Sequence, residues 1–172
     1  WFERNLEEFL NQSDLPRKEI FKKVLMPILE GLAFAHERQV YHRDLNPRNI
    51  LISDSDAPLI SDFGSAKVFS ESSASETKLR TESIPYTPER GNVSEIDVYS
   101  FGVMAIELLS KERAYSRQDV ESILSHSDGV KAGIAPETKI ILEKCVDLIP
   151  ENRYRSAVEL KEVFDRRALE LK

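Results

Sequence analysis

Between Arg17 and Arg38 the apolar residues Phe21, Leu25, Ile28, Leu32 and Ala35 return every three or four positions, with Lys18, Lys22, Lys23 and Glu30 between them. That period lays one apolar stripe along a helix and turns the charged side chains to water. Ser13, Asp14 and Pro16 stand before it as start signals. Pro27, inside the pattern, predicts a kink or a split, because proline offers no N–H to the preceding turn and its ring collides with a carbonyl there. The texture then changes. Asn49-Ile50-Leu51-Ile52 and Pro58-Leu59-Ile60-Ser61 are short apolar runs joined by the turn-forming Ser53-Asp54-Ser55-Asp56-Ala57, which predicts a small β-hairpin. From Ser65 to Arg90 Ser, Thr and charged residues dominate, and six Ser and Thr lie between Ser70 and Thr81. Such a stretch reads as a long, mobile loop.

Helical signals return beyond Glu95. Val98 to Leu109 is apolar except for Ser100 and Glu107, too short to span a bilayer and best read as a buried helix. Ser116 with Asp119, and Ser156 with Glu159, have the spacing at which a hydroxyl caps the first turn and a carboxylate answers it. A third helix, roughly Glu137 to Leu148, carries Ile140, Ile141, Leu142, Val146 and Leu148 and stops at Pro150. The expected architecture is mainly α with one small β-hairpin, in a single domain over residues 1–172.

Composition narrows the function. A chain of 172 residues with 41% hydrophobic residues can bury one core. Its formal net charge of -6 gives no footprint for nucleic acid or an anionic membrane, so any phosphate chemistry must be local. The single cysteine, Cys145, excludes an intrachain disulfide, suits a reducing interior and reads as a small core residue. The opening Trp1-Phe2-Glu3-Arg4 has no initiator Met, no basic n-region and no secretory apolar run, so the chain reads as a segment with no membrane span of its own.

Phosphoryl transfer requires a divalent metal on the phosphates, oxygen ligands to hold it, and a group that orients or deprotonates the attacking hydroxyl. Tyr41-His42-Arg43-Asp44-Leu45-Asn46-Pro47-Arg48-Asn49-Ile50-Leu51 is followed, after the hairpin, by Ser61-Asp62-Phe63-Gly64. These segments resemble the catalytic loop (42–49) and magnesium loop (62–64) of eukaryotic-type protein kinases, nearer the serine/threonine than the tyrosine type. The resemblance covers nearly the whole chain and implies the helical C-terminal lobe of that fold, with the β-rich N-terminal lobe absent from this chain. It implies that Asp44 handles the acceptor hydroxyl proton and that Asn49 and Asp62 ligate Mg2+ on ATP. Leu51 would floor the adenine site, with His42, Phe63 and Gly64 structural. Pro88-Glu89-Arg90 stands where the family closes its activation segment, here 62–89. Glu89 would pair with Arg153, and Asp97 would tie the catalytic loop's backbone to the central helix. A protein substrate and an intracellular setting, either cytoplasmic or on the cytoplasmic side of a membrane-anchored parent, follow from the same resemblance.

Three features depart from the family. Asn46 replaces the lysine that contacts the transferred phosphate in serine/threonine kinases, so a positive charge is lost, and Arg48 stands where tyrosine kinases carry arginine. The segment is one residue short at Tyr86-Thr87-Pro88-Glu89, which would put Ser83 in place of a threonine that contacts the catalytic Asp. Arg43 would pair with a phosphorylated loop residue, for which Thr77, Thr81 and Ser83 are the candidates. No glycine-rich loop, strand lysine or helix glutamate precedes Trp1. A binding or scaffolding pseudokinase and a small-molecule phosphotransferase of kinase-like fold are the alternatives.

Overall fold

The axis of the molecule is α4 (Val93–Ser110), in which every side chain from Asp97 to Ser110 is buried. A helix that is apolar on all sides must be enclosed, and α5 (Arg117–His126), α6 (Pro136–Cys145) and α7 (Ala157–Glu170) pack around it. The computed structural model describes residues 2–12, 14–63, 85–88, 90–126 and 134–170. The expectations for Gly64, Thr77, Thr81, Ser83 and Glu89, and most of the Ser65 to Arg90 loop, lie outside them.

The amphipathic stretch from Arg17 forms one continuous but divided helix. A short α2 (Arg17–Glu19) runs into a π-helical segment (Ile20–Leu25) and then α3 (Met26–Glu37). Pro27 is the second residue of α3 and brings no N–H to the turn before it. The Met26 N–H donates instead to the Phe21 carbonyl, five residues back. The expected split therefore takes the form of a π turn, which widens the helix by one residue per turn. Beyond it, α3 lies against α7, and Phe21 meets Phe164 edge-on at 5.4 Å between ring centres.

The hairpin forms as expected: β2 (Ile50–Ser53) pairs antiparallel with β3 (Pro58–Ile60). A third strand, β1 (Phe2–Asn5), adds to the other side of β2 with Asn5 opposite Leu51, so the β part is a three-stranded sheet and not a bare hairpin. The chain then turns directly into α1 (Leu6–Gln12), which buries Leu6 and Phe9. Pro58 falls on an edge strand, where a missing N–H breaks no ladder.

Both expected capping pairs form. The Asp119 N–H donates to Ser116 Oγ at 3.2 Å while the Ser116 N–H reaches Asp119 Oδ2 at 2.9 Å, and the Glu159 N–H donates to Ser156 Oγ at 3.3 Å. At the other end of α4, the Arg17 Nε donates to the Leu109 carbonyl at 2.6 Å, satisfying an acceptor that the helix leaves open. The third helix ends at Cys145, before the expected Leu148, and leaves Ile140, Leu148 and Ile149 exposed. Asp147 stops it: its Oδ1 accepts the Ile149 N–H at 2.8 Å, closing a side-chain turn that competes with the helix. Among the described residues no helix is long and apolar enough to cross a membrane.

Candidate active site

Asp44 stands in a loop between α3 and β2, and the loop is built by two asparagines. Asn46 Oδ1 accepts the Arg48 N–H at 3.0 Å, capping the 3-10 turn Pro47–Asn49. Its Nδ2 donates to the Asp44 carbonyl at 2.9 Å. Asn49 Nδ2 donates to the same carbonyl at 2.7 Å. Each amide also lies 3.4 Å from one oxygen of the Asp44 carboxylate. Two neutral donors thus bracket the acid. Asn46 is buried and turned into its own loop, which explains how a residue without charge is kept where the resemblance expects a lysine.

Ser61 joins the two ends of the site. Its N–H and Oγ both donate to the Asn49 carbonyl, at 2.8 and 3.0 Å, and its Oγ lies 3.1 Å from Asp62 Oδ2. Asn49 precedes β2 and Asp62 lies two residues beyond β3, and continuing the Ile50 to Ile60 register outward sets Asn49 opposite Ser61, the neighbour of Asp62. Asn49 is half-buried and commits its Nδ2 to Asp44, which leaves Oδ1 as its side-chain acceptor, and Asp62 is exposed. A carboxylate and an amide oxygen suit magnesium, which takes few protein ligands and completes its shell with water and phosphate oxygens. Consistent with that, no three His, Cys, Asp or Glu among the described residues converge into a self-sufficient metal cage.

Arg43 and Asp62, on either side of this junction, both adopt the left-handed backbone, at φ of 66° and 60°. Residues with a Cβ reach that region at a cost and persist there only where their surroundings hold them. His42 supplies part of the hold. Wholly buried, it donates from Nε2 to the Ser61 carbonyl at 2.7 Å, accepts the Asp44 N–H on Nδ1 at 3.3 Å, and meets the Phe63 ring edge-on at 5.0 Å.

Asp97, in the first turns of α4, is the second anchor and is fully buried. Its Oδ2 accepts the His42 N–H at 2.8 Å and its Oδ1 the Arg43 N–H at 2.6 Å. His36 adds a bond that no sequence pattern announced. Its Nδ1 accepts the Ala157 N–H at 3.1 Å, which places the proton on Nε2 and directs it to Asp97 Oδ2 at 2.9 Å. One carboxylate thereby connects α3, the Asp44 loop, α4 and the start of α7.

Further polar and charged groups are buried elsewhere in the fold. The Tyr86 hydroxyl donates to the buried Glu107, whose other oxygen accepts the Ala114 N–H at 2.8 Å. Burial, then the Tyr86 and Ala114 hydrogen bonds working against it, leave the Glu107 carboxyl above the usual carboxylate range. Burial and the neighbouring Glu107 charge push the Tyr86 phenol far up. Arg153 is buried, donating to the Asp147 carbonyl at 2.7 Å and the Arg90 carbonyl at 3.0 Å and stacking over Tyr99 at 4.9 Å. Leu51 lies half-buried in the middle of β2.

Residues 2–164 match the protein kinase domain model. A probable serine/threonine-protein kinase of Clostridium acetobutylicum is 33% identical over 149 residues, covering 77% of this chain and 22% of that protein. The serine/threonine-protein kinase PknL of Mycobacterium tuberculosis is 32% identical over 152 residues, covering 80% of this chain and 38% of its own length. The MAP kinase kinase kinase wis4 of Schizosaccharomyces pombe is 26% identical over 180 residues, which take in 91% of this chain and 13% of that protein. The chain thus spans well under half of each of these relatives. With this chain matched almost end to end, and with an acid, an amide and a second acid carried by one loop and one sheet end, the chain belongs to the protein kinase family.

Proposed function

We propose that this chain is the catalytic portion of a serine/threonine-type protein kinase that passes the γ-phosphoryl group of ATP to a protein hydroxyl. The observation that carries this is Ser61, which donates to the Asn49 main-chain carbonyl and lies 3.1 Å from Asp62 Oδ2, so that the two residues able to offer oxygen to a magnesium ion are held near one another. Asn49 Oδ1 and the Asp62 carboxylate would hold that ion, and bound magnesium supplies charge neutralisation for the ATP phosphates. Asp44 orients the acceptor hydroxyl and takes its proton. Asn46 and Asn49 hold the Asp44 backbone still, and Asp97 holds the residues on its other side. Leu51 floors the adenine site, and a small lobe outside this chain supplies the phosphate-gripping lysine. ATP as the phosphoryl donor sets the site inside the cell.

The neutral Asn46 favours a second reading, a pseudokinase that binds partners without turnover, because charge stabilisation is the chief device of phosphoryl transfer. One experiment separates the two. The full-length protein is given radiolabelled ATP, magnesium and a peptide library bearing Ser, Thr or Tyr. Transfer that falls ~10²–10⁴-fold in Asp44→Asn, with the unfolding transition unchanged, supports the kinase. Absence of transfer from the parent protein, with partner binding that survives Asp44→Asn, supports the pseudokinase.

A further inference from the structure

We propose that Arg48 and Arg113 form a subsite for an acidic side chain of the protein substrate, beside the acceptor hydroxyl. This presupposes the kinase reading above and deepens it. Arg48 projects from the 3-10 turn that Asn46 caps, four residues from Asp44, and its side chain is 64% exposed. Its Nε donates to Glu7 Oε2 at 3.1 Å, and Arg113 Nη2 donates to Glu7 Oε1 at 2.5 Å. Two guanidinium groups therefore share one carboxylate, with the buried Glu107 a further negative neighbour of Arg113. Each guanidinium has five N–H donors, of which Glu7 engages one, so both keep a fork suited to a second carboxylate.

Position and surroundings agree with this use. Joined through Glu7, the pair sits beside the Asp44 loop, and Arg113 also lies within electrostatic reach of the buried Tyr86 and Glu107. The nearby acids have hydrogen-bond partners of their own. Glu107 is buried and committed to Tyr86 and Ala114, and Glu8 accepts the Asn5 N–H at 3.0 Å. A substrate carrying Asp or Glu next to its acceptor would complete a two-by-two arrangement of charges, whereas one carrying Lys or Arg would meet repulsion.

The test uses the full-length protein with ATP and magnesium, and peptides identical except for Asp, Ala or Lys at each position flanking the acceptor. Peptide affinity by fluorescence anisotropy and kcat/KM are both read, as ratios between peptides within each variant. The Asp peptide is expected to exceed the Ala peptide about fivefold, as exposed ion pairs allow. Arg48→Gln should bring that ratio near one, and Arg48→Glu should turn it in favour of Lys. Glu7→Gln should raise it, since the internal competitor is gone, whereas a merely structural ion pair would lower stability and leave the ratio alone. Ratios that are flat in the parent, or unchanged in the Arg48 and Glu7 variants, overturn the subsite. Charge-selective binding without turnover upholds the subsite and counts against the kinase reading, and turnover without charge selectivity does the reverse.

Discussion

Replacing Asp97 by Asn keeps the shape of the side chain and exchanges one acceptor oxygen for an NH2 donor. In the structure Oδ1 faces the Arg43 N–H at 2.6 Å, and Oδ2 faces the His42 N–H at 2.8 Å and His36 Nε2 at 2.9 Å. Whichever way the amide sits, a donor is set against a donor in a site with no access to water. A hydrogen bond to a charged acceptor contributes about 1.5–3 kcal/mol, and a buried donor left unmet costs about 1–3 kcal/mol. The Asn variant should therefore lose about 3–5 kcal/mol, a large share of the 5–15 kcal/mol or so that holds a domain together. At this chain length that corresponds to a drop of about 6–20 °C in Tm. Urea unfolding measures the first quantity and differential scanning fluorimetry the second. Because the same bonds keep Arg43 in its left-handed backbone next to Asp44, phosphoryl transfer should fall by ~100-fold, mostly in kcat, since displacement of a reacting group by an ångström is enough for that. An Asp97→Asn protein within about 0.5 kcal/mol of the parent and with unchanged kcat would refute the role given to this carboxylate.

Gly102 faces Cys145 where α4 crosses α6, and a Cβ there would lie 2.6 Å from Cys145 Cβ and 2.9 Å from Val146 Cγ1. Gly102→Ala should cost about 1–3 kcal/mol by overpacking despite the better helix propensity of alanine, read from the urea midpoint, with partial rescue by Cys145→Gly. Glu107 has a folded-state pKa above its ordinary value because of burial. Its folded form thus holds the proton more tightly than the unfolded chain, and the stability it contributes is lost as pH rises from about 4.3 upward. Glu107→Gln should gain on the parent between pH 4.5 and 7.5 in chemical unfolding, and a parent that gains instead would contradict the sign. Burial holds the Cys145 thiol well above the usual range. It should resist a maleimide in the native protein and react once urea unfolds it, and prompt labelling of the native state would place it at the surface.

What could be read in the chain were features whose cause is local. The buried run at α4, the hairpin, both capping pairs and the interruption at Pro27 each depend on residues within a few positions of one another. Asp44, Asn49 and Asp62 stand out because two short segments, 41–51 and 61–64, resemble the catalytic and magnesium loops of protein kinases. The features that escaped notice are joined across long distances. Phe2–Asn5 alternates too little to declare a strand and becomes one only through its register with Leu51 to Ser53. His36 looks like one more polar position on α3, and its partner Asp97 lies 61 residues away. Val146 and Leu148 continue the apolar spacing past the end of α6, while the stop comes from the Asp147 side chain.

The bond from the Ala157 N–H to His36 closes a loop of 121 residues. Proteins are made from the N-terminus, at about 5–20 residues per second. Asp44, Asn49 and Asp62 all leave the ribosome well before α7 exists, yet the clasp behind their loop awaits the first residue of that helix. Until α7 docks, His36 has no fixed tautomer to offer Asp97, and the strained backbone at Arg43 lacks part of its support. A nascent chain, or one clipped before α7, would carry the chemical groups without the alignment, so a helix begun 121 residues after His36 is the one that arms the Asp44 loop.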